Sequence, residues 1–251
     1  MTGILLATMF FSTSQAQDYP IPPKRTSASK VGFFAGVTPG WLQVDVAPLN
    51  SFLVAAGGAE LKDNGMFLFG GSGAVYIGVV KNFRVGGMGM GGGIASRSVD
   101  GQGIRRDAEL SVGIGGITFE YVIPLAERLD VAFGGMVGWG GVDITLREDT
   151  GRNLTWDDEW ANFGSGNYND PITGTIGNTS RNLSGSYFVW MPQINVEYAI
   201  LGWIAVRVGA SYLGMNAPSW SVDGKYDLVG TPSDITGAGF MLNGGLFIGT
   251  F

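Results

Sequence analysis

The sequence predicts an all-β protein, a closed antiparallel up-and-down transmembrane β-barrel of about eight strands. Three observations predict this fold. Short segments with alternating apolar and polar residues recur along the chain. The connections between them alternate between tight turns and longer polar loops. The last segment, GAGFMLNGGLFIGTF at 237–251, is uncharged, places Phe247 and Phe251 on one apolar face and ends in the aromatic Phe251. Alternation of short and long connections is typical of membrane barrels, and an even strand number places both chain ends on one side.

The composition agrees with many short strands. Glycine supplies 43 of 251 residues and charged residues only 14%. The mean hydropathy is +0.20, yet no apolar run reaches the roughly 20 residues that a transmembrane helix needs. The apolar residues are therefore spread at short spacing, as in strands that have one apolar face each.

Two residue types are absent, and their absence restricts the chemistry. The chain has no cysteine and no histidine, which excludes disulfides, thiolate metal sites and Ser-His or Cys-His nucleophile pairs. We therefore predict no enzyme activity, no metal and no cofactor. The net charge of -6 argues against a nucleic-acid partner, because phosphates attract a basic surface.

The first thirty residues precede the predicted barrel. Residues 1–17 contain an apolar core at Ile4–Phe11, followed by the small residues Ser14 and Ala16, and we interpret them as a signal peptide for export. A short anchor helix is the alternative, but this core is too short to span a bilayer. Residues 18–30 hold three prolines and form an extended linker. Residues 31–251 form the single barrel domain.

Eight strands are predicted from the alternation of residue types, at roughly 31–46, 65–80, 82–97, 105–122, 127–147, 184–199, 202–214 and 237–251. In the fourth and fifth strands the apolar residues change parity part-way along. Leu110 and Ile114 share one parity, for example, whereas Phe119 has the other. We predict that bulges at 115–116 and 140–141 restore a single apolar face, because one extra residue flips the face of a strand.

The connections fall into two classes. Tight turns lie at 81–82, 124–126 and 201–202, and long loops at 47–64, 98–104, 148–183 and 215–236. The first long loop contains a helix-like stretch at 48–61 with Leu49, Phe52 and Leu53 on one face. This stretch either folds over or into the barrel mouth, or lies on its rim. The glycine run at 86–93 lacks the GK[ST] ending of a phosphate loop, so we expect it to bend the strand or to admit the helical stretch.

In this alternation, and in its terminal Phe251, the sequence resembles small bacterial outer-membrane β-barrel proteins of the eight-stranded class. The resemblance covers 31–251 as architecture and indicates no named family. It implies location in the outer membrane, contact with outer-membrane lipid, and recognition of the C-terminal strand by the barrel-assembly machinery. It also implies a non-enzymatic structural, adhesive or surface-interaction role. It does not indicate an oligomeric state.

Three groups of candidate site residues follow from the predicted strands. Arg84, Glu120, Glu197 and Arg207 have the lumen parity and are predicted to form a charge network that plugs the barrel, or else a gate in a small pore. Aromatic residues of the outer face form the candidate membrane girdle, namely Trp139, Trp190, Tyr198, Trp203 and Phe251. The longest loop offers Trp156, Asp158 and Trp160 as contacts for a sugar or a cation, or as an ordinary solvated surface.

Two other functions stay open from the sequence. The many lumen glycines could leave space for a narrow channel, or for a carrier of small or hydrophobic ligands. Alternatively, the chain could be a soluble exported barrel or sandwich that binds a ligand. That alternative requires a polar outer face, whereas the sixth and seventh strands have an apolar one on the parity assigned above.

Overall fold

The computed structural model describes residues 32–149, 156–157 and 179–250. In the continuous described stretches 32–149 and 179–250, ten strands and one helix occur in the order β1 Phe33–Val37, β2 Gly40–Val44, α1 Ala47–Ala55, β3 Met66–Tyr76, β4 Phe83–Val99, β5 Arg105–Ala126, β6 Leu129–Asp149, β7 Thr179–Leu201, β8 Ile204–Val222, β9 Tyr226–Asp227 and β10 Gly239–Gly249. Strands β1 and β2 are two parts of one barrel strand that is interrupted at Thr38 and Pro39. Pro39 has no backbone N–H to donate to a ladder.

The sheet closes on itself. Strand β10 pairs with β8 on one side and with β1 and β2 on the other, and β1 and β2 in turn pair with β3. From β3 to β8 each strand pairs antiparallel with the next along the chain. These pairings form a ring of eight strands, which confirms the predicted up-and-down barrel. A sandwich of two separate sheets is excluded.

The connections alternate in length as predicted except around β4, where the predicted long loop, 100–104, has five residues and the predicted tight turn, 77–82, has six. Residues 127–128 and 202–203 form tight turns, and the third connection at this end, 77–82, is somewhat longer than predicted. Helix α1 lies in the first long connection at the opposite end, as predicted. Among the described residues, no helix has the length and apolarity to cross a membrane.

Four neighbouring strands are much longer than a membrane requires. Strands β5, β6, β7 and β8 have 22, 21, 23 and 19 residues, whereas about 9–11 residues suffice to cross a bilayer. Strands β3 and β10 have only 11 residues each. The barrel is therefore taller on the side of β5–β8. The extra length lies at the end of the long loops, where β7 starts and β8 ends well beyond the predicted limits.

The predicted glycine bulges are wrong. The register of β4 with β5 runs without interruption from Phe83 opposite Tyr121 to Val99 opposite Arg105. The register of β5 with β6 is equally regular through Gly140 and Gly141. In β5 the even-numbered residues face the lumen along the whole strand. Leu110 and Ile114 are therefore buried inside the barrel, while Phe119 is exposed on its outer surface.

The change of parity marks two zones of one regular wall. In the lower zone, near the tight turns, the outer surface is apolar and the lumen carries polar side chains. In the upper zone of β5–β8 the order is reversed, with the lumen apolar and the outer surface carrying Glu109, Asp143, Thr145 and Ser184. An apolar lumen inside a polar outer wall is the pattern of a barrel in water. The upper zone is thus built to stand clear of lipid.

The terminal strand β10 also differs from its predicted orientation. Phe247, predicted to share an apolar outer face with Phe251, is 1% exposed and points into the lumen. Asn243 is buried on the same inner face, which explains why that face is not uniformly apolar. The outward residues include Leu242 and Ile248. Phe251 lies outside the described residues.

The glycine run of β4 contains glycines with two different surroundings. A Cβ at Gly86 would overlap the carbonyl oxygen of Gly73 on β3 and lie 2.6 Å from the Cβ of Ala74. Glycine there lets β3 and β4 approach closely as the wall curves. A Cβ at Gly89, which faces outward, would meet only Ile114 O at an ordinary 3.7 Å. Neither position has an atom of α1 among its nearest neighbours, so at Gly86 the glycine admits the β3 backbone rather than the helix.

Candidate functional site: a plugged lumen below an apolar pocket

The four predicted lumen charges come together in one buried cluster in the lower zone. Arg84 Nε donates to Glu120 Oε2 at 2.6 Å, and Arg84 Nη1 donates to Glu197 Oε2 at 2.8 Å. Arg84 Nη2 also donates to Glu197 Oε1, and Arg207 Nη2 donates to Glu120 Oε1. All four side chains are at most 8% exposed. Two arginines and two glutamates leave the cluster neutral, which satisfies the condition for burying charge.

Amides and aromatic rings complete the cluster. Gln193 Nε2 and Asn195 Nδ2 donate to Glu120 Oε1 at 3.0 and 3.1 Å. The Arg84 guanidinium carbon lies 4.7 Å from the centre of the Phe34 ring. Phe34 packs edge-on against Phe247 at 5.4 Å. The two amides and the two rings were not predicted to belong to the charge network. The lumen parity of Gln193 and Asn195, which they share with Glu197, was the signal that could have identified the amides.

The lumen is filled at the level of this cluster. The cavity beside it holds only about 10 Å³, between Phe34, Ser72, Thr118 and neighbouring side chains. A cavity of this size holds at most about one water molecule. The buried apolar side chains above it pack in a single cluster, which includes Leu42, Met136 and Met191. The geometry of the four charges is thus that of a plug.

Above the packed lumen, the mouth of the barrel contains a cavity of about 490 Å³. This volume is in the range of 300–1,000 Å³ that is common for small-molecule sites. Inward side chains of the tall wall form one side, including Ala108, Ile144, Leu183 and Trp220. Helix α1 and residues 228–235 form the other side, where the wall is short.

Helix α1 lies over the mouth and closes part of it. Leu49 and Leu53 are buried in the same apolar cluster as the upper lumen, while Phe52 lines the cavity and is half exposed. The Asn50 side chain ties the helix to the following loop, because Asn50 Nδ2 donates to Leu61 O at 3.0 Å and Leu61 N donates to Asn50 Oδ1 at 2.8 Å. Of the two placements left open by the sequence, the structure shows the one over the mouth.

The rim of the cavity carries paired charges. Arg106 Nε donates to Glu148 at 2.9 Å, and Arg106 Nη1 donates to Asp100 at 3.0 Å. The Ile104 amide donates to Asp100 Oδ1 at 3.0 Å. This hydrogen bond, followed by those from the Gln102 amide and from Arg106, holds the pKa of Asp100 below its ordinary value. The aspartate is thus ionised at neutral pH and fixes Arg106 at the edge of the cavity.

A second ion pair stands across the rim. Arg181 Nη1 donates to Asp223 Oδ2 at 2.8 Å, and the Asn182 amide donates to Asp223 Oδ1 at 2.9 Å. The hydrogen bond from the Asn182 amide, and after it the one from Arg181, lower the pKa of Asp223. Both arginines that occupy inward strand positions at the rim, Arg106 and Arg181, therefore have acidic partners.

Four of the five predicted girdle residues are described, and they lie on the outer surface at two levels, whereas Phe251 lies outside the described residues. Trp203 lies in the β7–β8 turn, and Tyr198 lies opposite Leu129, the first residue of β6. Trp139 and Trp190 lie higher, near the change of zone. The Trp139 ring packs edge-on against Phe188 at 6.3 Å, and Trp190 Nε1 donates to Asn216 at 3.0 Å.

Of the three residues predicted as loop contacts, the structure describes only Trp156. Trp156 is exposed, whereas Asp158 and Trp160 lie outside the described residues. The part of the chain that the structure describes contains no group of three or more acidic residues placed to hold a metal ion.

Comparison with known proteins finds likeness in architecture alone. No family model matches the sequence, and no characterised protein matches it significantly. Among solved structures, Ail, the attachment invasion locus protein of Yersinia pestis, is 12% identical with a TM-score of 0.35 over 86% of this chain and 97% of that one. Neisserial surface protein A is 10% identical with a TM-score of 0.40 over 88% of this chain and 97% of that one. A major outer membrane protein from Thermus thermophilus is 9% identical with a TM-score of 0.41 over 87% and 98%. At identities and TM-scores this low, these matches carry no inference about function.

Proposed function

We propose that this protein is a non-enzymatic outer-membrane barrel that binds a small apolar molecule in a pocket open to the cell exterior, while its lumen is closed to ions. The observation that carries the proposal is the cavity of about 490 Å³ at the mouth, directly above a filled lumen. A pocket lined largely by apolar side chains, with a few polar groups at its edge, is the usual form of a small-molecule site.

The lower zone supports location in a membrane. Its outer surface exposes large apolar residues on neighbouring strands, among them Phe119, Phe133, Ile194 and Val208. The ten steps of β6 from Leu129 to Trp139 cover about 34 Å along the strand at about 3.4 Å per residue. At a tilt of about 40° this is about 26 Å along the barrel axis, close to the apolar band of about 25 Å found in outer-membrane barrels.

The position of the pocket supports binding at the cell surface. The pocket lies at the end of the long loops, and long loops are extracellular in outer-membrane barrels. The wall around it is polar outside, with Glu109 and Thr145 exposed or partly exposed on the outer face. A ligand would thus enter from the aqueous side and would stop above the packed lumen.

A pair of matched variants tests ligand binding. Ala108 lines the pocket, and Ala95 lies at a similar height on the outer wall. We expect Ala108→Phe to fill part of the cavity and to weaken binding at least tenfold, and Ala95→Phe to leave it unchanged. The probe is N-phenyl-1-naphthylamine, whose emission rises in an apolar site, titrated into protein held in amphipol. Equal titration curves for the original chain and both variants would refute the pocket as the binding site.

A structural, adhesive or surface-interaction role without a ligand is the second candidate. The filled lumen favours it, since a barrel plugged by its own side chains needs no solute to explain its fold. The same observation disfavours a narrow channel. Planar-bilayer recordings distinguish the two, and we expect no ion conductance above the bare bilayer. Absence of saturable probe binding, together with absence of conductance, would favour the structural role.

Export and assembly complete the proposal. We propose that residues 1–17 direct export, that residues 18–30 are a linker, and that the assembly machinery recognises the C-terminal strand. Closure of β10 against β1 and β2 supports a late role for this strand in assembly. Deleting Phe251 should lower the yield of membrane-inserted, heat-modifiable barrel. Removal of one residue from the linker should not. Equal losses would count against recognition through the terminus.

A further inference from the structure

The wall of the mouth pocket contains polar atoms that have no hydrogen-bond partner. Within the described part of the chain, Trp220 Nε1 and Thr231 Oγ1 are buried and make no hydrogen bond of normal geometry. Both residues line the pocket. Trp220 is only 6% exposed. An indole N–H is a donor only, and nearly all buried donors in native proteins find an acceptor.

Local structure places the Trp220 ring in the pocket. The β7–β8 ladder shifts register between Ser186 opposite Ser219 and Phe188 opposite Asn216, so β8 contains one extra residue there. Pro218 falls in this segment and has no backbone N–H to donate. The extra residue changes which residues of β8 face inward, and Trp220 therefore enters the lumen.

Neighbouring residues pack against the Trp220 ring but do not accept a hydrogen bond from its N–H. A Cβ at Gly185 would lie 2.7 Å from Trp220 Cε2, so a glycine is required opposite the ring. The Tyr187 ring packs edge-on against the indole at 6.1 Å. The Tyr187 hydroxyl, which donates to Ile235 O at 2.7 Å, lies near the indole N–H but is not placed to accept a hydrogen bond of normal geometry from it. The indole is thus fixed in position by packing, and its N–H is left for another acceptor.

We infer that the pocket takes an apolar molecule bearing one neutral hydrogen-bond acceptor, such as a ketone, ester or ether oxygen, and that Trp220 Nε1–H donates to this oxygen. The inference rests on the proposed pocket and adds the chemical class of its ligand. A neutral acceptor is favoured over a carboxylate because Arg106 and Arg181 at the rim already have acidic partners. Trp220 is then a specificity-determining residue, with the Thr231 hydroxyl as a second contact.

A pair of isosteric ligands tests the hydrogen bond directly. The probes are 2-heptanone and 2-methyl-1-heptene, in which a methylene group replaces the ketone oxygen. The chain has seven tryptophans, so indole ¹H–¹⁵N spectra of labelled protein in amphipol contain few signals, and Trp220→Phe assigns the one from Trp220. We expect 2-heptanone to shift this proton downfield and the alkene not to do so. Trp220→Phe should weaken binding of the ketone about fivefold, the usual size of one hydrogen bond, and leave binding of the alkene within a factor of two.

Controls separate this inference from the pocket itself. Trp203→Phe removes an exposed tryptophan from the far end of the barrel and should leave both affinities unchanged. If both probes bind but Trp220→Phe affects them equally, or the Trp220 proton does not move, the inference fails and the pocket stands. If neither probe binds the original chain, the proposed pocket fails, and the inference fails with it. If Trp220→Phe loses heat-modifiability, Trp→Phe variants of the other six tryptophans assign the Trp220 signal by elimination, and the shift of this proton in the original chain decides the question.

Discussion

Replacing Glu120 by glutamine should destabilise the barrel far more than the same change at the rim. Glu120 accepts a hydrogen bond from Arg84 on one carboxylate oxygen. Its other oxygen accepts hydrogen bonds from Gln193, Asn195 and Arg207. The substitution leaves two buried arginines facing one glutamate, and it turns an amide N–H₂ towards one set of donors. Breaking a buried ion pair from one side costs about 3–5 kcal/mol.

Glu148→Gln is the matched control, because Glu148 pairs with Arg106 at the rim and its side chain is 34% exposed. Such a partly exposed pair is worth at most about 1 kcal/mol. Urea unfolding in lipid vesicles, followed by tryptophan fluorescence, measures both losses. The double variant Glu120→Gln/Arg207→Gln restores neutrality, and we expect it to recover at least about 1 kcal/mol relative to the sum of the single changes. Equal losses for Glu120→Gln and Glu148→Gln would refute the buried plug.

Two further predictions concern the wall and the rim. Gly86→Ala should lower the free energy of unfolding by more than about 2 kcal/mol, because the new methyl would overlap the β3 backbone. The control is Gly113→Ala, whose methyl meets nothing within 4 Å and which should be neutral or stabilising by about 0.5–1 kcal/mol. Urea unfolding in lipid vesicles compares the two variants. Equal effects would contradict the close approach of β3 and β4. The lowered pKa of Asp100 stabilises the loop above the ordinary pKa of about 4, and this stabilisation is lost as the pH falls below that value. Amide exchange at Gln102 and Ile104 should therefore quicken between neutral pH and about pH 3, after correction for intrinsic rates, and unchanged protection would count against the role of Asp100.

The barrel could be predicted from the sequence because turn and loop lengths are local features. The ring of eight strands, the antiparallel order and the helix in the first long loop all followed from them. The four lumen charges were also predictable, because strand parity alone places Arg84 and Glu120 on the same face. In the structure these residues are directly opposite each other in the β4–β5 register.

The two zones could not be predicted while one environment was assumed for each strand. A change of parity within a strand has two explanations, an extra residue or a change in what surrounds the wall. The sequence of β5 from Leu110 to Phe119 is compatible with both. Only the uninterrupted register of the neighbouring strands distinguishes them. The same assumption placed Phe247 on the lipid face, whereas it packs against Phe34 inside the lumen.

The mouth pocket was not predictable for a different reason. It is formed by side chains that are far apart in the sequence, such as Phe52, Ile144 and Trp220. The inward position of Trp220 depends on one extra residue in β8, and no glycine pair marks that position in the sequence. Bulges were predicted where glycines occur in pairs, whereas this register shift in β8 lies between Asn216 and Ser219.

The placement of the membrane around the lower zone is the central claim, and collision accessibility along β6 tests it most directly. The chain has no cysteine, so single cysteines at 133, 137, 143 and 145 each carry one spin label on the outer face of β6. In lipid vesicles, we predict that oxygen relaxes the labels at 133 and 137 more than a water-soluble nickel chelate does. At 143 and 145 the order should reverse, with the crossover near Trp139. Dominance of oxygen at all four positions would place the whole strand in lipid, and dominance of nickel at all four would place the barrel in water. Either result would contradict the two-zone barrel and the surface pocket that depends on it.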